Sequence, residues 1–191
     1  MADPAPIETV ITYLQMTEPP GSAHPPTPAA KVALMRAEAP TLAFYRYLYD
    51  TVGGPWLWWE RRVMDDADLS AVILNPAVEV YVLYVGGVPA GFAELDARKM
   101  PGEIELAYFG LMEEFVGRGF GGYFLRWAID QAWSRDPVPG RLWVNTCTLD
   151  HPNALAVYQR CGFEPYERES KTIDDPRFRE AFPDAEVRVP A

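Results

Sequence analysis

The segment Val116–Gly122, VGRGFGG, carries four glycines in seven residues and stands between a strand-like run, Glu103–Leu111, and a helix-like run that opens at Phe120. Glycine adopts positive φ without steric cost and lets another group approach the backbone closely. A strand that turns through such a segment into a helix presents unpaired N–H groups and the positive end of the macrodipole. That is a ready anion site, and Arg118 adds a charge that can pair with phosphate. Gly117, Gly119 and Gly122 also spell G-x-G-x-x-G. A dinucleotide fingerprint, however, closes directly after its strand and is followed by an acidic residue about twenty positions on, at the end of the next strand. Here Met112–Phe115 intervene, position 137 is proline, Asp136 falls in a loop, and the upstream hairpin is antiparallel.

The runs on either side set the architecture. Ile7–Met16 and Lys31–Ala37 read as two strands joined by a long connection, because TEPPGSAHPPTP (17–28) holds five prolines. After Pro40, Leu42, Tyr45, Leu48 and Tyr49 recur at helical spacing, and Gly53-Gly54 ends that helix. Pro55–Arg62 reads as a second helical piece and Asp68–Leu74 as a short third one. Val78–Val85 and Val88–Arg98 form a hairpin across Gly86-Gly87. Phe120, Tyr123, Phe124, Trp127 and Ala128 mark the buried face of the helix after the glycines, with Arg126, Asp130 and Ser134 on its other side. Arg141–Leu149 is a strand, Asn153–Cys161 a short helix and Phe163–Lys171 a last strand. The order predicts an α/β fold: a mixed, mostly antiparallel central sheet flanked by helices on both faces. One domain spans 1–191, with an N-terminal strand and Pro-rich extension (about 1–30) and a polar C-terminal tail (about 172–191).

Composition excludes several classes. A net charge of −10 argues against nucleic acid, which needs clustered Lys and Arg, and mildly favours cationic small molecules. Two cysteines, Cys147 and Cys161, with no C-x-x-C spacing predict buried thiols and no metal site. No apolar stretch has membrane-spanning length, and the N-terminus lacks a secretory pattern, so a cytoplasmic protein without a membrane partner is expected.

Leu106–Leu125, LAYFGLMEEFVGRGFGGYFL, resembles the acetyl-CoA loop of the GNAT N-acetyltransferase superfamily, Q/R-x-x-G-x-G/A after a strand ending in a bulge. Gly119 and Gly121 fill the small positions, and Val116 stands where Gln or Arg is usual. Leu149–Phe163, LDHPNALAVYQRCGF, resembles that superfamily's later motif: Ala154, Tyr158, Gly162 and Phe163 match, while His151 takes the usual Asn place with Asn153 two residues on. The resemblance covers roughly 31–171 and implies a GNAT-like fold and transfer of acetyl from acetyl-CoA to a primary amine of a small molecule or peptide.

The resemblance also implies roles. Val116, Gly117, Arg118, Gly119, Phe120, Gly121 and Gly122 would hold the pyrophosphate, Phe109 and Leu111 would pair with pantetheine, and His151 or Asn153 would touch it. Glu105 would be the general base, through a water, with Glu103 as the fallback on the same strand face; Tyr158 would be the general acid. Main-chain N–H near Leu111 would polarise the carbonyl, and Cys147 reads as a strand-core thiol. Tyr45, Tyr49, Trp56, Trp58 and Trp59 would form core and acceptor wall, and with Glu60 could receive a cationic amine. The alternative is a non-catalytic acyl-CoA-binding sensor with the same fold, motivated by Val116 and His151. The N-terminal hairpin and last strand leave room for a homodimer.

Overall fold

The computed structural model describes residues 6–21 and 25–178. Residues 22–24 of the proline-rich connection and the tail beyond Phe178 lie outside the described residues.

Seven strands form one sheet: β1 (Ile7–Met16), β2 (Val32–Ala37), β3 (Val78–Val85), β4 (Val88–Asp96), β5 (Ile104–Leu111), β6 (Leu142–Cys147) and β7 (Glu164–Ile173), ordered β2-β3-β4-β5-β6-β1-β7. The helices are α1 (Leu42–Gly53), α2 (Asp66–Ile73), α3 (Phe120–Trp133) and α4 (Ala154–Arg160). Every strand pair is antiparallel except β5–β6.

Local chemistry accounts for most boundaries. Thr41 caps α1 by accepting from Phe44 N–H at 3.2 Å. Tyr45, Leu48, Tyr49 and Val52 give α1 a buried stripe at i, i+3, i+4, i+7. Gly86 and Gly87 sit at φ 62° and 92°, the positive pair that a tight hairpin between β3 and β4 requires. β3 is buried along nearly its whole length, so its apolar residues run continuously rather than alternate. The sheet separates two cores. Leu83, Leu95, Leu106, Phe124, Ile129, Val144 and Phe163 pack on the face that α3 and α4 cover, whereas Tyr45, Leu48, Leu69, Val82 and Phe92 pack on the α1 and α2 face.

Three expectations are corrected. Ile7–Met16 does not form a hairpin with Val32–Ala37: β2 pairs with β3 at one edge, while β1 inserts between β6 and β7 and buries Thr9, Thr12, Leu14 and Met16. Pro55–Arg62 is no helix. A single 3-10 turn, Gly54–Trp56, ends at Leu57 in the left-handed region (φ 61°), and the chain then runs irregularly. Arg126 lies inside, 6% exposed, because its guanidinium donates to Asp130 and to the carbonyl of Pro20, which the N-terminal connection lays over α3. Among the described residues, no helix is long and apolar enough to cross a membrane.

Candidate active site

The site begins where the sheet opens. β5 and β6 pair only at Ile104–Leu142 and Glu105–Trp143, and from Leu106 and Val144 onward they diverge. On the other side of β5 the register slips: Leu95 faces Leu106 and Glu94 faces Tyr108, so Ala107 is an extra residue. Such a bulge bends its strand, and it falls where β5 leaves β6. The β6-facing backbone of Leu106–Leu111 is thereby left as an open strand edge over a cleft of about 560 Å³.

The glycine segment closes one end of this cleft. Gly117 and Gly119 occupy positive φ (77° and 86°), and no side chain caps the N-terminus of α3. A Cβ at Gly117, Gly119 or Gly122 would meet nothing within 4 Å, and one at Gly121 would meet only Leu111, at 3.7 Å. Unobstructed amides at a helix start fit a diphosphate, and an open strand edge fits an extended amide chain.

Nine of the residues expected at the cofactor line the cleft together with Tyr158: Phe109, Leu111, Val116, Gly117, Gly119, Gly121, Gly122, His151 and Asn153. Phe120 turns inward, 2% exposed. Arg118 stays exposed beside the loop, its guanidinium 5.3 and 5.5 Å from the Phe115 and Phe120 rings. Tyr158 is 7% exposed, edge-on to Phe109 and Phe163. Burial, then the Asp150 charge, pushes its phenol well above the ordinary tyrosine range.

Glu105 stands apart from Tyr158. It lines a second cavity of about 240 Å³ with Asp96, Arg98, Lys99, Glu103 and Trp143. Burial, and then the neighbouring Asp96 charge, pushes its carboxyl up to about 7. The two cavities share no lining residue, but both touch β6: Trp143 walls the first and Asn145, two residues on and on the same strand face, walls the cleft. Glu103 is held by Lys99 at 2.9 Å and by Arg141, which keep its carboxyl below the usual range.

The segment after α1 forms the opposite wall. Trp58 donates to Asp150, and Trp56 lies edge-on to His151 at 5.2 Å, so this segment reaches over to the β6–α4 loop. A Cβ on Gly53 would overlap the Trp58 ring at 2.2 Å, which ties that ring's seat to a glycine. Tyr45 and Tyr49 are buried in the core. Beneath them Glu94, fully buried, accepts from Arg61 at 2.7 Å and from the Tyr45 hydroxyl, and the Arg61 guanidinium lies 5.2 Å over the Tyr108 ring. Sequence reasoning missed Asp150, Asn145, Tyr108 and the Arg61–Glu94 pair. Each sits on a periodic run or in a loop with no local signal. Cys147 lines the cleft as a half-buried thiol, pushed up by burial and by Asp150.

Residues 39–163 match the acetyltransferase (GNAT) family. No curated protein matches the sequence. Among solved structures, a functionally unknown conserved protein from Staphylococcus epidermidis aligns at 15% identity and TM-score 0.59, over 89% of this chain and 63% of that one. A GCN5-related N-acetyltransferase from Kribbella flavida aligns at 19% and 0.58, over 90% and 60%. An aminoglycoside N-acetyltransferase in complex with CoA aligns at 19% and 0.53, over 74% and 93%. The chain thus spans about 60% of the length of the first two. At these identities the likeness is one of fold.

Proposed function

The chain belongs to the acetyltransferase (GNAT) family, and from that premise we propose that it moves an acetyl group from acetyl-CoA to a primary amine of a small molecule or peptide, by direct attack in a ternary complex. One observation carries this reading: the open β5 edge, the uncapped glycine start of α3 and the Tyr158 phenol meet in a single cleft.

Acetyl-CoA supplies an activated thioester. The chain's residues do the rest. Amides of Val116–Gly121 hold the diphosphate with the help of Arg118, Phe109 and Leu111 pair with pantetheine as an added strand, and His151 or Asn153 contacts it. Main-chain N–H near Leu111 polarises the carbonyl oxygen.

An ordinary alkylammonium has pKa about 10.4 and no lone pair to attack with. Glu105, with its carboxyl at about 7, is matched to proton transfer near neutral pH. Trp143 in its cavity and Asn145 in the cleft lie two residues apart on one face of β6, and along that face water would carry the amine's proton to it. Tyr158 stays protonated and donates to the departing sulfur. Trp56, Trp58 and Glu60 wall the acceptor.

The separation of Glu105 from the cleft is the observation that favours the second reading, an acyl-CoA-binding module without turnover. One assay decides. Thiol release from acetyl-CoA is followed across a panel of amines, with acetyl-CoA binding measured in parallel. Amine-dependent release is expected; binding without release from any amine overturns catalysis in favour of the sensor.

A further inference from the structure

The cleft is divided by charge. Arg160, at the end of α4, is the one Lys or Arg among the described residues that line it. The acceptor wall instead carries two carboxylates, Glu60 and Asp150. Acids nearby are paired: Asp50 with Arg62, Glu94 with Arg61, Asp96 with Arg98 and Glu103 with Lys99. The bonds held by the two cleft acids come from neutral donors. Asp150 accepts from Trp58 Nε1–H at 3.1 Å, from the Thr146 hydroxyl at 2.7 Å and from Cys147 N–H at 2.9 Å. Glu60, exposed, accepts from the Tyr49 hydroxyl at 3.1 Å. Neutral donors satisfy a carboxylate's lone pairs without offsetting its charge. The rings of Trp56 and Trp58 line the same cleft, faces suited to a methylene chain or an ammonium.

A simple monoamine does not account for this wall. At the moment of attack its nitrogen is neutral, and it then has no charge to place against the carboxylates. We propose, resting on the acetyltransferase reading, that the acceptor is a small aliphatic diamine, whose second amine stays protonated and is held by Glu60 against the aromatic wall. One nitrogen forms the N–C bond as the C–S bond breaks. Its proton leaves through water to Glu105, and the sulfur takes the Tyr158 proton. The distal ammonium keeps its charge throughout. The amide product carries one cation fewer than the substrate, so it binds this wall in one orientation only, with its ammonium at Glu60 and its amide at the thioester end. The wall therefore favours a single acetylation.

The test is calorimetric, on the full chain saturated with CoA, so that it does not depend on turnover. Butane- and pentane-diamine are compared with butylamine and pentylamine, and with amino acids of matched length that carry a carboxylate at the far end. The diamines are expected to bind about tenfold more tightly than the monoamines, the sum of one partly exposed ion pair and one cation–π contact. The amino acids are expected to bind more weakly than either. Glu60→Gln keeps an acceptor for Tyr49 and removes the charge, and it is expected to shrink the diamine preference to about twofold. Equal affinities across the three classes, or a preference unchanged in Glu60→Gln, overturn the proposal. Thiol release measured on the same samples reports catalysis separately: tight diamine binding without release would overturn the transfer reading and leave the diamine as the ligand of this wall.

Discussion

Trp58 donates its indole N–H to the Asp150 carboxylate at 3.1 Å, tying the segment after α1 to the loop after β6 across the open end of the sheet. Asp150 in turn bonds Thr146 and the Cys147 amide at the end of β6. The strand that diverges from β5 is thus held at its far end by the wall facing it, which fixes the width of the cleft through side chains rather than through the ladder.

Trp58→Phe tests that tie. Phenylalanine keeps an aromatic ring against Tyr49, Tyr108 and Phe92, and loses the N–H together with part of the indole's packing. A bond to a charged acceptor contributes about 1.5–3 kcal/mol when partly buried, so the midpoint of thermal unfolding should fall by several degrees. In steady-state assays the acceptor KM should rise about tenfold, by the same energy, while the KM for acetyl-CoA stays nearly unchanged. Equal rises in both would mean that the bond supports the whole sheet and not the acceptor wall.

Tyr158→Phe removes a proton donor and keeps the edge contacts with Phe109 and Phe163. A general acid contributes at least about a hundredfold, so kcat should fall by that order with the acetyl-CoA Kd unchanged. An acceptor whose amine attacks a thioester with a better leaving group should lose less. An undiminished kcat would leave Tyr158 as a packed aromatic.

Glu105→Gln separates titration from packing. The folded carboxyl is raised from 4.5 to about 7, so between those values the folded protein binds a proton that the unfolded chain releases. The stability this contributes is full below about pH 4.5 and is lost as pH rises through 7. Glutamine never ionises. The stability of the variant relative to the wild type should therefore grow with pH, by about 2 kcal/mol between pH 5 and pH 8 after discounting for partial exposure. Denaturant midpoints at the two pH values check this. Base catalysis by Glu105 also predicts that kcat/KM rises through pH 7 in the wild type and not in the variant; a constant stability difference would mean that Glu105 titrates normally.

How much of this could be read in the sequence follows the range of the interactions. The β3–β4 hairpin was legible because Gly86-Gly87 is local turn chemistry, and α3 because Phe120, Phe124 and Ala128 repeat at its period. The glycine segment was legible for the same reason, as a strand end and a helix start side by side. The insertion of β1 was not: Ile11 pairs with Cys147 and Glu169, more than a hundred residues away, and nothing near Ile11 encodes those partners. The aromatic segment after α1 misled because tryptophans suggest a packed helix, whereas Leu57 at positive φ breaks the chain there and hands Trp58 to the cleft. Glu105 is singled out by register with the loop, but its place beside Asp96 depends on the bulge at Ala107, which only the pairing of β4 with β5 reveals. Asp150 acts through contacts with Trp58 and with the end of β6, and a lone aspartate in a loop carries no mark of that.

Gly122→Glu sets stability against binding in one substitution. Gly122 lies in the first turn of α3, and a Cβ there meets nothing within 4 Å. Replacing glycine within a helix contributes about 1 kcal/mol, and a carboxylate near the N-terminus about 0.3–1 kcal/mol more through the macrodipole. The variant should unfold a few degrees higher than the wild type. The same carboxylate stands where the diphosphate is proposed to bind, occupying the free amides and repelling the anion. Affinity for CoA should fall at least fiftyfold, a loss of about 2.3 kcal/mol, and should partly recover at high salt as the repulsion is screened. Calorimetry with CoA and with a pantetheine fragment that lacks the diphosphate distinguishes causes. Only CoA should lose affinity. If the fragment is lost equally, the substitution has closed the β5 edge, and if CoA still binds at full strength, the diphosphate lies elsewhere than at the start of α3.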